Sequence, residues 1–231
     1  MKQQLKVIGE TGTRKIKQFD FENWHPKTTL GRNVKSGEIK SFDEILASGH
    51  RVLEAEIVDA LIPDLQIGLL SIGQSKGKFG GGKRSIWKQT QKKTKEGNKP
   101  KFAAMVVVGN RMGYVGLGYG KAKETVPARE KAIRNAKLNI INVRFGCGSW
   151  EGDPAGVNSI PFAVEGKCGS IRLKLIPAPK GTSLVIEGEC AKILDIAGIK
   201  DIYSKTSGHT KTKSNLVKAC FNALKAYQKQ R

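Results

Sequence analysis

Residues Gly77 to Lys83, GKFGGGK, have the form G-x-x-x-x-G-K, the first seven positions of a phosphate-binding P-loop. The eighth position of such a loop is Ser or Thr, whose hydroxyl ligates magnesium. Here it is Arg84, and Ser85 comes one residue late. A P-loop also joins a strand to a helix, whereas Ile86-Trp87-Lys88-Gln89-Thr90 reads as a strand. A basic loop that meets nucleic-acid phosphates accounts for these residues better than a nucleotide hydrolase built on Lys83. Gly116-Leu117-Gly118-Tyr119-Gly120-Lys121 opens like a dinucleotide fingerprint but lacks its last glycine, and it follows a hairpin instead of the strand of a βαβ unit. Gly77-Lys78-Phe79-Gly80 has the G-x-x-G form of an RNA-clamping KH loop, without the helices that loop connects.

Other chemistries find no constellation. His25, His50 and His209 have no Cys or carboxylate at ligand spacing. Ser149, Ser159 and Ser207 lack a nucleophile elbow. Cys147, Cys168, Cys190 and Cys220 lie 21, 22 and 30 residues apart, with no C-x-x-C pair, and read as reduced thiols of a cytoplasmic protein. The sequence therefore predicts a protein that is not an enzyme and that uses no cofactor or metal.

Charge is the informative signal. The 231 residues hold 41 Lys+Arg against 20 Asp+Glu, a net +21 and a pI near 9.9. Residues 1–75 are balanced at 10 basic and 10 acidic, residues 76–144 carry 18 basic and 3 acidic, and residues 145–231 carry 13 and 7. A solubilising surface would intersperse both signs, so the segregation points to a polyanionic partner docking on the middle block. Its candidate phosphate contacts are Lys83, Arg84, Lys88, Lys92, Lys93, Lys95, Lys99, Lys101, Arg111, Lys121, Lys123, Arg129, Lys131, Arg134 and Arg144. Aromatic residues are only 6%, which favours reading RNA by shape over stacking many bases. No apolar run approaches the ~20 residues of a membrane helix, and MKQQLKVIGE has no leader-like core.

The elements that must position these side chains begin after residues 1–24, which read as an arm. Two short helices follow, one capped by Ser41 with Glu44 and ending at Gly49, the other over 54–61 and ended by Pro63. They have little core of their own and should pack on something larger. Period-two patterns predict strands over 86–94, 102–108 and 114–119, with turns at 95–100 and 109–113. A helix over 125–141 has Ala128, Ala132, Ala136 and Ile140 on one narrow face, suited to a close approach to the bare glycines 116 and 118. Strand, strand, strand, helix is the layout of a double-stranded-RNA-binding domain. After a break at 145–149, strands are expected at 159–165, 170–176 and 201–205, and helices at 187–197 and 212–227.

The segment GNKPKFAAMVVVGNRMGYVGLGYGKAKE, with ETVPAREKAIRNAKLNIINV, RFGCGSWE, EGKCGSIRLKLIPAPKGTSLV and ILDIAGIKDIYSKTSGHT, resembles the ribosomal protein S-five family of the small subunit, in its archaeal form. The resemblance covers about residues 84–228. It implies an α+β fold: an N-terminal helical extension (1–75), a double-stranded-RNA-binding-like domain of three strands and a helix (76–146), and an S-five C-terminal βαβ-type domain (147–231). It implies a structural constituent of the cytoplasmic small ribosomal subunit that binds ribosomal RNA. It further implies a place on the path by which messenger RNA enters, a part in decoding accuracy, and the S-three, S-four and S-eight proteins as neighbours. The loop 92–101, Asn110-Arg111 and Lys121-Ala122-Lys123 match the family's RNA-facing positions, and Pro177, Pro179, Lys180, Gly181 and Thr182 match its S-four-facing loop. Ser183 stands where many members have Gly. The same basic surface would also serve an RNA chaperone acting outside the ribosome.

Overall fold

The computed structural model describes residues 21–62, 64–75, 82, 84–150 and 158–229. Lys83, most of the glycine-lysine loop and residues 1–20 of the expected arm lie outside the described residues. The elements run α1 (Thr29–Ser36), α2 (Phe42–Ala47), α3 (Ala55–Leu61), β1 (Gln66–Leu70), β2 (Lys88–Thr94), β3 (Gly97–Gly109), β4 (Tyr114–Ala122), α4 (Thr125–Lys137), β5 (Ile140–Asn142), β6 (Val164–Cys168), β7 (Ile171–Pro177), β8 (Leu184–Val185), α5 (Gly188–Ala197), β9 (Ile202–Ser207) and α6 (Lys213–Lys229).

The first sheet has five strands where three were expected. β3 is its axis. β1 pairs with Met105–Gly109 and β2 with Gly97–Ala103 along one edge, while β4 takes the other edge from Phe102 onward. β1 comes from the region read as extension: QIGLL is too short to show a period, and only its pairing makes it a strand. β5 was read as the end of the long helix. The chain leaves α4 at Leu138, and Ile140–Asn142 turn back to pair with Tyr114–Gly116.

β3 is buried on both faces over residues 103–109, because each face carries its own layer. Ala104, Val106 and Val108 pack under α4 and the N-terminal helices, with Trp24, Val34, Phe42, Ile45, Ile57 and Val58. The short helices thus find the larger partner they needed. Met105 and Val107 face Ile171, Leu173, Leu175, Ile193, Leu194 and Phe221 of the second half of the chain. A continuous core therefore joins the two sheets.

Helix α4 lies unusually close to β4. A Cβ on Gly116, Gly118 or Gly120 would stand 2.1–2.3 Å from the carbonyl oxygens of Ala136, Ala132 and Ala128. Glycines on the strand and alanines every fourth residue on the helix are two halves of one contact, as their spacing predicted. The second sheet repeats the device: a Cβ on Gly166 would meet the Ala219 carbonyl at 2.1 Å.

That second sheet runs β6-β7-β9-β8, with β8 and β9 parallel around the crossover helix α5, a βαβ unit. Helix α5 starts where the Glu187 carboxylate accepts the N–H groups of Glu189 and Cys190, and stops at Gly198, φ +101°. Strand β6 starts five residues later than expected; Ser159 and Ile160 instead sit buried before it. Helix α1 was not foreseen, although Thr28 caps it and Gly37, φ +83°, closes it. Ser41 does not cap a backbone N–H; its hydroxyl donates to the Glu44 carboxylate at 2.7 Å.

Candidate nucleic-acid interface

Beyond Ala103, strands β2 and β3 leave the layered core as a two-stranded ribbon. β2 is exposed for all but its last residue, and β3 is exposed from Gly97 to Lys101. Opposed residues in an antiparallel pair share a face. The register places Lys92 against Lys99, Thr90 against Lys101 and Lys88 against Ala103, so Lys88, Lys92, Lys99 and Lys101 share one face. Lys121 lies opposite Ala103 on β4 and extends that face toward the sheet. The other face holds only Lys93.

Two lysines opposed across a ladder repel each other, a cost of a few tenths of a kcal/mol that a bound anion removes. The ribbon's single acid, Glu96 at the tip, pairs with Lys99 at 2.8 Å with both side chains more than 60% exposed, so it neutralises little. Elsewhere several acids are paired with basic side chains of the same fold. Asp59 meets Lys137 at 2.6 Å, Glu187 meets Lys213, Glu189 meets Lys192 at 3.0 Å, and Asp195 meets Arg111 at 3.1 Å. Burial lifts the Asp59 carboxyl above the usual carboxylate range, although Lys137 pulls the other way.

The structure separates the predicted contact set. Lys88, Lys92, Lys93, Lys95, Lys99, Lys101, Lys121 and Lys123 gather on the ribbon and at its base, all exposed. Lys131 and Arg134 are exposed on α4, where Arg129 is half-buried. Arg84 donates to the Lys211 carbonyl at 3.1 Å and is half-buried. Arg111 stands at the opposite end of the sheet, with a left-handed backbone (φ +59°). Its N–H donates to the Ile196 carbonyl, and that of Gly113 to Ala197, so this hairpin latches onto the end of α5. Arg144 is exposed, close enough to Tyr227 to act on its hydroxyl, whose pKa burial raises and Arg144 lowers. Neither Arg111 nor Arg144 joins the ribbon. Tyr114, behind the same hairpin, is pushed up to about 12 by burial and by Asp43.

The loop with Pro177, Pro179, Lys180, Gly181 and Thr182 is held from beneath. Buried Asp201 accepts the N–H groups of Gly181 and Ser183 at 3.1 and 2.8 Å, and the Asn158 amide at 2.6 Å. Ser183 adopts φ +66°, the left-handed conformation that favours glycine, so the serine keeps the geometry with Asp201 as its support. All four cysteines are free; Cys190 and Cys220 are buried, and their mutual hydrogen bond, with burial, drives the Cys190 thiol far up.

Lys218, Asn222 and Lys225 escaped the sequence reading as part of the basic surface. Their i, i+4, i+7 spacing on α6 was the available signal; their distance in sequence from the basic block hid it.

Two family models match the chain: "Ribosomal protein S5, N-terminal domain" over residues 86–144 and "Ribosomal protein S5, C-terminal domain" over 166–231. Among curated relatives, small ribosomal subunit protein uS5 of Nanoarchaeum equitans is 48% identical over 206 residues, 89% of this chain and 88% of that protein. The uS5 proteins of Methanocaldococcus jannaschii and Aeropyrum pernix are 47% and 48% identical over 90% and 92% of this chain, and 89% and 90% of their own lengths. With both halves matched in order, the chain belongs to the ribosomal protein S5 family.

Proposed function

We propose that this protein is a structural component of the small ribosomal subunit, and that the β2–β3 ribbon with Lys121 and Lys123 holds ribosomal RNA by its phosphates. The observation that carries the reading is one ribbon face with Lys88, Lys92, Lys99, Lys101 and Lys121 against a single exposed acid. Such a surface suits an A-form backbone, read through phosphates and 2′-hydroxyls. The relatives' names and the archaeal likeness support placement in the cytoplasmic subunit. Contacts with messenger RNA where it enters, a part in decoding accuracy, and S-three, S-four and S-eight as neighbours belong to the same proposal. The loop of Pro177 to Thr182, fixed by Asp201, is assigned to the S-four side. Gradient sedimentation of tagged protein from a lysate tests this. It should travel with the small subunit at moderate and at high salt; recovery in light fractions with mixed RNA would contradict it and favour a free RNA chaperone.

A further inference from the structure

Beside the ribbon's lysine face lies a second feature that phosphate binding does not use. β4 pairs with β5 only at Tyr114–Gly116, so its outer edge from Leu117 onward has no strand partner among the described residues. Asn139 and Asn135 donate side-chain N–H groups to the carbonyls of Leu117 and Tyr119, at 3.1 and 2.8 Å, which caps that edge against another strand. Between this edge and α6 opens a cleft of about 190 Å³. Its floor is apolar, with Met105, Leu117 and Phe221; its walls carry Tyr119, Lys218 and Lys225. Tyr119 is 40% exposed, and the Lys218 ammonium stands 5.7 Å from its ring centroid.

The position of this cleft is as informative as its lining. Tyr119 lies opposite Met105, two residues from the Lys121–Ala103 pair, so it shares the face of Lys88, Lys92, Lys99 and Lys101. An RNA strand tracking those lysines toward the sheet arrives at the cleft. An aromatic ring with cations beside it is the device by which proteins hold an unpaired nucleotide, stacking the base and contacting its phosphates. The capped edge disfavours an added peptide strand, and the cations exclude a cationic ligand.

We infer that the β4–α6 cleft takes one unpaired nucleotide at the end of the RNA helix held by the ribbon, with its base on Tyr119 and its phosphates on Lys218 and Lys225. This rests on the ribbon's being an RNA surface, so the test separates the two. The full-length protein is titrated with a blunt RNA hairpin and with the same hairpin bearing a two-nucleotide single-stranded end that contains 2-aminopurine. The overhang should tighten binding about fivefold or more and quench the 2-aminopurine. Tyr119→Ala should abolish that gain while leaving blunt-hairpin affinity within about twofold, Lys218→Gln should reduce it, and Tyr119→Phe should keep it. Melting curves of the variants matching wild type exclude misfolding. Equal affinity for the two probes, with the blunt hairpin bound, overturns the cleft and spares the ribbon. Loss of binding to both probes by the wild-type protein overturns both.

Discussion

Strand β3 is two structures in one chain. From Ala103 to Gly109 every residue is buried, and from Gly97 to Lys101 every residue is exposed. The inner half has a layer on each face, so both sets of alternating side chains are apolar or absent. The outer half has β2 alone, and isolated two-stranded ribbons are marginal in water. It persists as a continuation of a five-stranded sheet, which frees its side chains from packing. The two halves also treat lysine in opposite ways. Lys137, on the helix over the inner half, is 11% exposed and is given Asp59; Lys92, on the ribbon, is given only another lysine. Charge is neutralised where the fold needs it and left open where a partner supplies the anion.

The largest effect expected on either side of this contrast comes from Gly118→Val. A Cβ there would stand 2.1 Å from the Ala132 carbonyl and 2.2 Å from the Ala136 nitrogen, both backbone atoms that cannot rotate away. The cost should be about 3 kcal/mol or more, a melting temperature ~6–12 °C lower. A wild-type melt would show that the helix does not rest on that glycine.

Next comes the buried pair. Lys137→Met leaves the Asp59 carboxyl buried beneath α4 without its partner and should cost about 3 kcal/mol by chemical denaturation. Adding Asp59→Leu should return most of it, because the carboxylate already bears the desolvation that raises its pKa. A double variant no better than the single one would mean that the pair's geometry, and not its charge, holds α3 to α4.

The smallest effect on folding belongs to the ribbon. Lys92→Ala with Lys99→Ala removes an opposed like-charge pair and should change stability by less than about 0.5 kcal/mol. A large loss there would erase the distinction between the two halves.

The inner half was legible in the sequence. Alternation at 102–108, glycines at 116 and 118, and alanines at 128, 132 and 136 are short-range patterns with one geometric solution. The joints were not. β1 and β5 are too short to show a period, and each is a strand only because β3 and β4 offer it an edge. Arg111 read in the sequence as one more phosphate contact; only the fold puts Asp195 and the end of α5 within its reach. The basic ribbon was legible as composition, but which lysines share a face depends on register, fixed by the turn at Lys95-Glu96-Gly97. Lys218 was lost for a different reason: its face on α6 and the strand carrying Tyr119 were each readable, and their meeting across the two halves of the chain was not.

The most direct test of the ribbon is the salt dependence of full-length protein binding to a structured RNA hairpin, with and without Lys92→Ala and Lys99→Ala. Each phosphate contact contributes roughly 0.9 to the log–log slope, so wild type should give a slope of several units and the double variant should lose about two of them. A flat wild-type response, or a slope that the two substitutions leave unchanged, would contradict the assignment of the exposed half of β3 to RNA.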